Sequence, residues 1–107
     1  MAPIVELTDR AFMAEVIGKR ETTIIQFLHR LDTSCLSMKV SFDELAGDFA
    51  ATSFRRVDIH SNCDTASRCG LLTFPSILVF EGGSEVRRIV GVRHRVVLFK
   101  ELKPWLI

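Results

Sequence analysis

Thr22-Thr23-Ile24-Ile25-Gln26-Phe27-Leu28, followed by His29-Arg30-Leu31-Asp32-Thr33-Ser34-Cys35, sets the frame for the whole chain. The first seven residues are β-branched or apolar, with Gln26 the one odd residue. Such a run suits a central strand covered on both faces. The polar turn Asp32-Thr33-Ser34 then leads into a helix from about Ser34 to Phe49. Met38, Phe42, Leu45 and Phe49 fall at spacings of four, three and four, one apolar stripe of a helix. A buried strand, a short loop and a long helix with Cys35 in its first turn therefore follow one another.

Working outward toward the N-terminus, Pro3 to Leu7 reads as a short strand. Thr8 suits a helix cap, and Phe12 with Val16 and Met13 with Ile17 give a four-residue repeat. Gly18 closes that helix, followed by the basic pair Lys19 and Arg20. Toward the C-terminus, Phe54 to Ile59 is a strand and Cys63 to Cys69 a short helix stopped by Gly70. Ser76 to Phe80 is an apolar strand, and Gly82-Gly83 makes a two-residue hairpin turn into Glu85 to Val90. Arg95 to Lys103 reads as a helix with Val96, Phe99 and Leu102 on one side, ended by Pro104. The order β-α-β-α-β-α-β-β-α predicts an α/β fold: a central mixed sheet of about five strands with helices on both faces.

The 107 residues match one ordinary domain, so residues 1–107 are expected to form a single unit. A net charge of +1 selects no partner by bulk electrostatics. No apolar stretch is long enough to span a bilayer, and the charged first twenty residues do not read as a signal peptide. Arg55-Arg56, Arg87-Arg88 and Arg93-His94-Arg95 read as solvated surface, because adjacent strand residues face opposite sides. With no Tyr and one Trp, stacking aromatics are lacking, which argues against nucleic acid. Three cysteines, an odd number, argue against a secreted disulfide framework and for an intracellular, cytoplasmic protein with free thiols.

The order of elements and four local features together resemble the thioredoxin family over almost the whole chain. The strand ending in Phe27 precedes a loop and a helix bearing Cys35; Asp58 closes the third strand; Phe74-Pro75-Ser76 is similar to the family's cis-proline turn; Gly82-Gly83 and Gly91 match its hairpin and the glycine before its last helix. The family's redox motif is Trp-Cys-Gly-Pro-Cys-Lys. Its gap-free counterpart is Leu31-Asp32-Thr33-Ser34-Cys35-Leu36, so Asp32 replaces the attacking cysteine and Cys35 is the resolving one. A frame with Cys35 as attacker, Cys35-Leu36-Ser37-Met38, would move Met38, Phe42 and Leu45 off the buried face. The family's buried aspartate is Gln26, its tryptophan Leu31 and its helix-kinking proline Val40. Phe27-Leu28-His29 ahead of Asp32-x-x-Cys35 also resembles the small spliceosomal thioredoxin-like proteins.

These substitutions imply a thioredoxin-like protein without dithiol exchange, acting as a protein-binding or scaffold module. The resemblance places its surface at Leu31, Asp32, Thr33, Ser34, Phe74, Pro75 and Val92, with an extended partner or client lying along Phe74-Pro75. Two alternatives stand beside it. One is a monothiol protein-disulfide oxidoreductase in cell redox homeostasis, with Cys35 as its catalytic residue. The other is a subunit of a ribonucleoprotein or cytoskeletal assembly. Asp32 is expected to cap its helix, and Gln26 to be a satisfied core amide. His60, Cys63 and Cys69 match no common metal-ligand spacing, so neither metal nor cofactor is expected.

Overall fold

Every residue from Thr23 to Leu28 is buried, as a strand covered on both faces requires. The computed structural model describes residues 4–107. In it this strand, β2, lies at the centre of a five-stranded sheet. The other strands are β1 (Val5–Glu6), β3 (Ser53–Asp58), β4 (Ser76–Glu81) and β5 (Ser84–Val90). Their order is β1-β3-β2-β4-β5. β3 runs parallel to both β1 and β2, and β4 runs antiparallel to β2 and β5. The sheet is thus mixed, with the late hairpin supplying the antiparallel half.

Four helices cover the sheet: α1 (Asp9–Phe12), α2 (Thr33–Asp48), α3 (Cys63–Arg68) and α4 (Arg95–Leu102). Alternation along β2 divides the core in two. Ile24 packs with Met38, Phe42 and Leu45 of α2 and with Leu98 and Leu102 of α4. Ile25 and Phe27 face the opposite way, toward Phe12, Val16, Val57 and Ala66. Each of these buried Val, Leu, Ile, Met and Phe side chains contributes about 1.5–3 kcal/mol relative to exposure. Two apolar layers around one sheet are what hold the loop after β2 in place.

Several local details differ from the sequence expectation. In the expected strand Pro3 to Leu7, Pro3 lies outside the described residues, and only Val5–Glu6 pair. α1 widens into a π-helical turn, Met13–Ile17, closed by the Gly18 N–H on the Met13 carbonyl at 2.8 Å. Gly18 has φ −79°, so the turn ends without a left-handed residue. In α4 the buried pair is Leu98 and Leu102, while Val96 is 64% exposed. A four-residue step keeps that pair on the side facing α2, and Val96 lies off it. Phe99 stacks instead on Phe49, with ring centroids 5.9 Å apart.

Arg56 is the largest departure: it is buried, not solvated. β3 lies between β1 and β2, and its Arg56 side chain reaches inward. Its Nε donates to Gln26 Oε1 at 2.9 Å and its Nη2 to Asp43 Oδ1 of α2 at 2.6 Å. Gln26 is consequently only half satisfied, since its buried Nε2 has no partner among the described residues.

The β4–β5 hairpin turns through Gly82 and Gly83, with φ of +57° and +83°. Two positive φ values match the right-handed twist of the strands. Gly83 also sits against the Ile17 carbonyl, where an added Cβ would collide.

Candidate functional site

The loop from His29 to Ser34 leaves the buried end of β2 and starts α2. Asp32 holds an extended backbone there, and its Oδ1 accepts the Ser34 N–H at 2.8 Å and the Cys35 N–H at 3.3 Å. It therefore caps the helix, satisfying two of its free donors. Cys35, one turn in, points to the core and has no exposed surface. Its Sγ accepts the His29 N–H at 3.3 Å. Burial pushes this thiol above its ordinary pKa; the His29 N–H opposes the shift, and the Asp32 charge adds to it. The sulfur is thus held as a thiol behind the loop.

The proline turn lies alongside by sheet register, because Phe27 pairs with Ser76 across β2 and β4. The Phe74–Pro75 bond is cis. The Pro75 carbonyl accepts the Gly91 N–H at 2.8 Å, which brings Val92 to the same end of the sheet. Leu31, Asp32, Thr33, Ser34 and Val92 are exposed, whereas Pro75 is buried and Phe74 is half-buried against the Phe27 side of the core. Leu72, 93% exposed, was not singled out by sequence. Leu71 beside it is buried.

Sequence reasoning also missed a histidine pair. His60 Nδ1 stands 3.3 Å from His29 Nε2, and the rings meet edge to face. His60 is thereby directed toward β2's exit loop. Among the described residues, no group of three or more His, Cys, Asp or Glu could hold a metal ion. The three cysteines are free: Cys35 buried, Cys63 exposed, Cys69 intermediate. Burial also raises the Cys69 thiol, with Glu85 adding and Arg88 opposing. Gln26 lies on the α2 side of β2, bonded to Arg56, and as an amide it offers no exchangeable carboxyl proton. Chemically, the site presents one thiol, one cap and one loop that must move before a substrate sulfur can reach Cys35. No helix among the described residues is long and apolar enough to cross a membrane.

Comparison with known proteins covers nearly the whole chain. The thioredoxin family model matches residues 3–104. Thioredoxin 2 of Chlorobaculum tepidum is 26% identical over 98 residues, 91% of this chain and 90% of that protein. Thioredoxin of Mycolicibacterium smegmatis is 28% identical over 105 residues, 95% of this chain and 94% of that one. The bifunctional thioredoxin reductase/thioredoxin of Mycobacterium leprae is 24% identical over 99 residues, covering 92% of this chain and 22% of that protein. These full-length matches to proteins named thioredoxin overturn the expectation of a binding or scaffold module devoid of redox chemistry. Asp32 in place of the motif's attacking cysteine removes the internal disulfide, not the remaining thiol. With its mixed sheet, two-sided helices and cis-proline turn beside a helix-initial cysteine, the chain belongs to the thioredoxin family.

Proposed function

We propose that this protein is a monothiol thiol–disulfide oxidoreductase whose one working sulfur is Cys35. The observation that supports it is the place of that thiol: the first turn of α2, capped by Asp32 and bonded to the His29 N–H, where the resemblance puts the family's resolving cysteine. The chain's relatives are thioredoxins, and one is joined to a thioredoxin reductase.

The chemistry follows from having one thiol. The Cys35 thiolate attacks one sulfur of a client disulfide; a Cys35–client disulfide forms and the client's second sulfur leaves as a thiolate, which takes up a proton. Asp32 cannot displace the bound client. A small thiol such as glutathione attacks the mixed disulfide and releases the reduced client or Cys35. A second glutathione completes the exchange, so two glutathione thiols become one disulfide for each client disulfide reduced. Because Sγ is buried, attack follows opening of residues 29–34. The client lies in extended form over the exposed Leu31, Asp32, Thr33, Ser34 and Val92, beside Phe74 and Pro75. Free thiols throughout suit a reducing compartment, and we assign the cytoplasm.

The test is trapping. A glutathionylated peptide is incubated with the protein, quenched with acid, and the adduct mapped by mass spectrometry. A mixed disulfide on Cys35, lost in Cys35→Ser, is the expected result. Adducts confined to Cys63 or Cys69, or equal turnover by Cys35→Ser, would sink the assignment.

A further inference from the structure

One main-chain N–H fixes the protons of both histidines beside the thiol. The Leu31 N–H donates to His29 Nδ1 at 3.2 Å, so that nitrogen carries no proton. Neutral His29 then holds its proton on Nε2 and donates it to His60 Nδ1, 3.3 Å away. His60 in turn keeps its proton on Nε2. His29 is also tied twice through its own main chain: its N–H donates to Cys35 Sγ at 3.3 Å, and its carbonyl accepts the Asp32 N–H at 3.0 Å. One residue thus joins Leu31, Asp32, Cys35 and His60.

An added proton has no place in this arrangement. On His29 Nδ1 it would face the Leu31 N–H, donor against donor. On His60 Nδ1 it would face His29 Nε2–H in the same way. The ring centroids are 5.0 Å apart, so two charged rings would repel. The charged groups around the pair are Asp58, whose Oδ1 accepts the main-chain N–H of His60 at 3.0 Å, and Arg30, 3.8 Å from Asp58. Asp32 stands on the other side, occupied with its helix cap.

We propose that His29 and His60 are positioning residues for Cys35: the neutral pair holds the loop closed over the thiol, and protonation releases it. This deepens the assignment of Cys35 as the working thiol and rests on it for its biological meaning.

Two measurements test it without any client. The first is a long-range 1H–15N spectrum of the imidazoles at about pH 8, above the ordinary histidine range. Both rings should be Nε2–H tautomers; a proton on His29 Nδ1 would overturn the arrangement. The second is alkylation of Cys35 by iodoacetamide, read by peptide mass spectrometry, with free glutathione in the same tube as the reference thiol. Below the pH where free thiols ionise, about 8.5, both rates fall together, so their ratio changes only with access to Cys35 or with the charge beside it. Exchange of the Asp32 amide, which donates to the His29 carbonyl, separates the two; a ratio that rises with no faster exchange is charge alone and refutes the latch. The wild-type ratio should rise about fivefold as the pH falls through the histidine range, the factor one ordinary hydrogen bond supplies. In His29→Phe that rise should vanish. A flat wild-type ratio, or an unchanged rise in His29→Phe, would refute the latch. A clear rise with faster Asp32 exchange but no trapped client disulfide would instead uphold the latch and remove the oxidoreductase assignment.

Discussion

Replacing Arg56 by Met should be among the most damaging single changes in this chain, and a second replacement at Gln26 should repair much of it. The Arg56 side chain is 8% exposed and bonds Gln26 Oε1 at 2.9 Å and Asp43 Oδ1 at 2.6 Å. Its guanidinium also lies 5.8 Å from the centre of the Phe42 ring. Without it, Gln26 has no partner at either end of its amide, because Nε2 is already unpaired. A stranded buried acceptor costs about 1–3 kcal/mol. Asp43 is partly exposed and keeps Lys39 at 3.2 Å, so loss of its pair adds only about 1 kcal/mol. Arg56→Met should therefore cost about 2–4 kcal/mol, a fall in Tm of roughly 10–25 °C for a domain of this size. Gln26→Leu alone should cost about 1–2 kcal/mol, since it strands Arg56 Nε but removes the unpaired amide nitrogen. The double variant strands nothing polar and should cost less than the sum by about 2 kcal/mol. Urea unfolding of the four proteins measures the cycle. Additivity within about 0.5 kcal/mol would refute the coupling, and with it the view that the two side chains satisfy one another.

Two further outcomes follow from the pKa directions. Asp32→Asn keeps the helix cap but removes a negative charge, so the Cys35 thiol should titrate lower while burial still holds it above the ordinary range; the pH profile of its alkylation reads this, and an upward shift would contradict the Asp32 contribution. For Asp9, burial opposes the charge, but the Thr65 hydroxyl, the Thr65 and Asp64 N–H groups and Arg68 outweigh it and depress the carboxyl. Its stabilisation is present above the unfolded value of about 3.9 and is lost as pH falls through the lower folded value. Asp9→Asn should remove that acid-sensitive part, at most about 1 kcal/mol after solvent screening; equal pH profiles in the two proteins would contradict it.

The parts legible in the sequence are those set by strong periodicity. Thr23–Leu28 and the Met38, Phe42, Leu45 stripe were fixed by burial on all sides and by a clean helical repeat. The π-helical turn at Met13–Ile17 and the rotated face of α4 were not, because short helices offer too few repeats to fix a register. Arg56 shows a different limit. Alternation says that Arg55 and Arg56 face opposite ways, yet only the sheet order reveals that helices cover the face Arg56 occupies. At the site, Asp32 and Cys35 were visible through the family resemblance. The His29–His60 contact was not, since it joins residues 31 apart that no local pattern links.

α3, with six residues, is too short to persist alone in water. Its first N–H groups are taken by Asp9, a residue 56 positions earlier than Thr65 in the chain. The Asp9 N–H in turn donates to Asn62, just ahead of α3. The two short helices are therefore halves of one stitch, and neither is complete until distant stretches of chain have met. Opening should be shared as well: amide exchange in α3 should track that in α1, rather than that of β3, its immediate predecessor. Since Cys63 and Cys69 lie on and directly after α3, thiol labelling there serves as a built-in reporter of whether the N-terminal segment has docked.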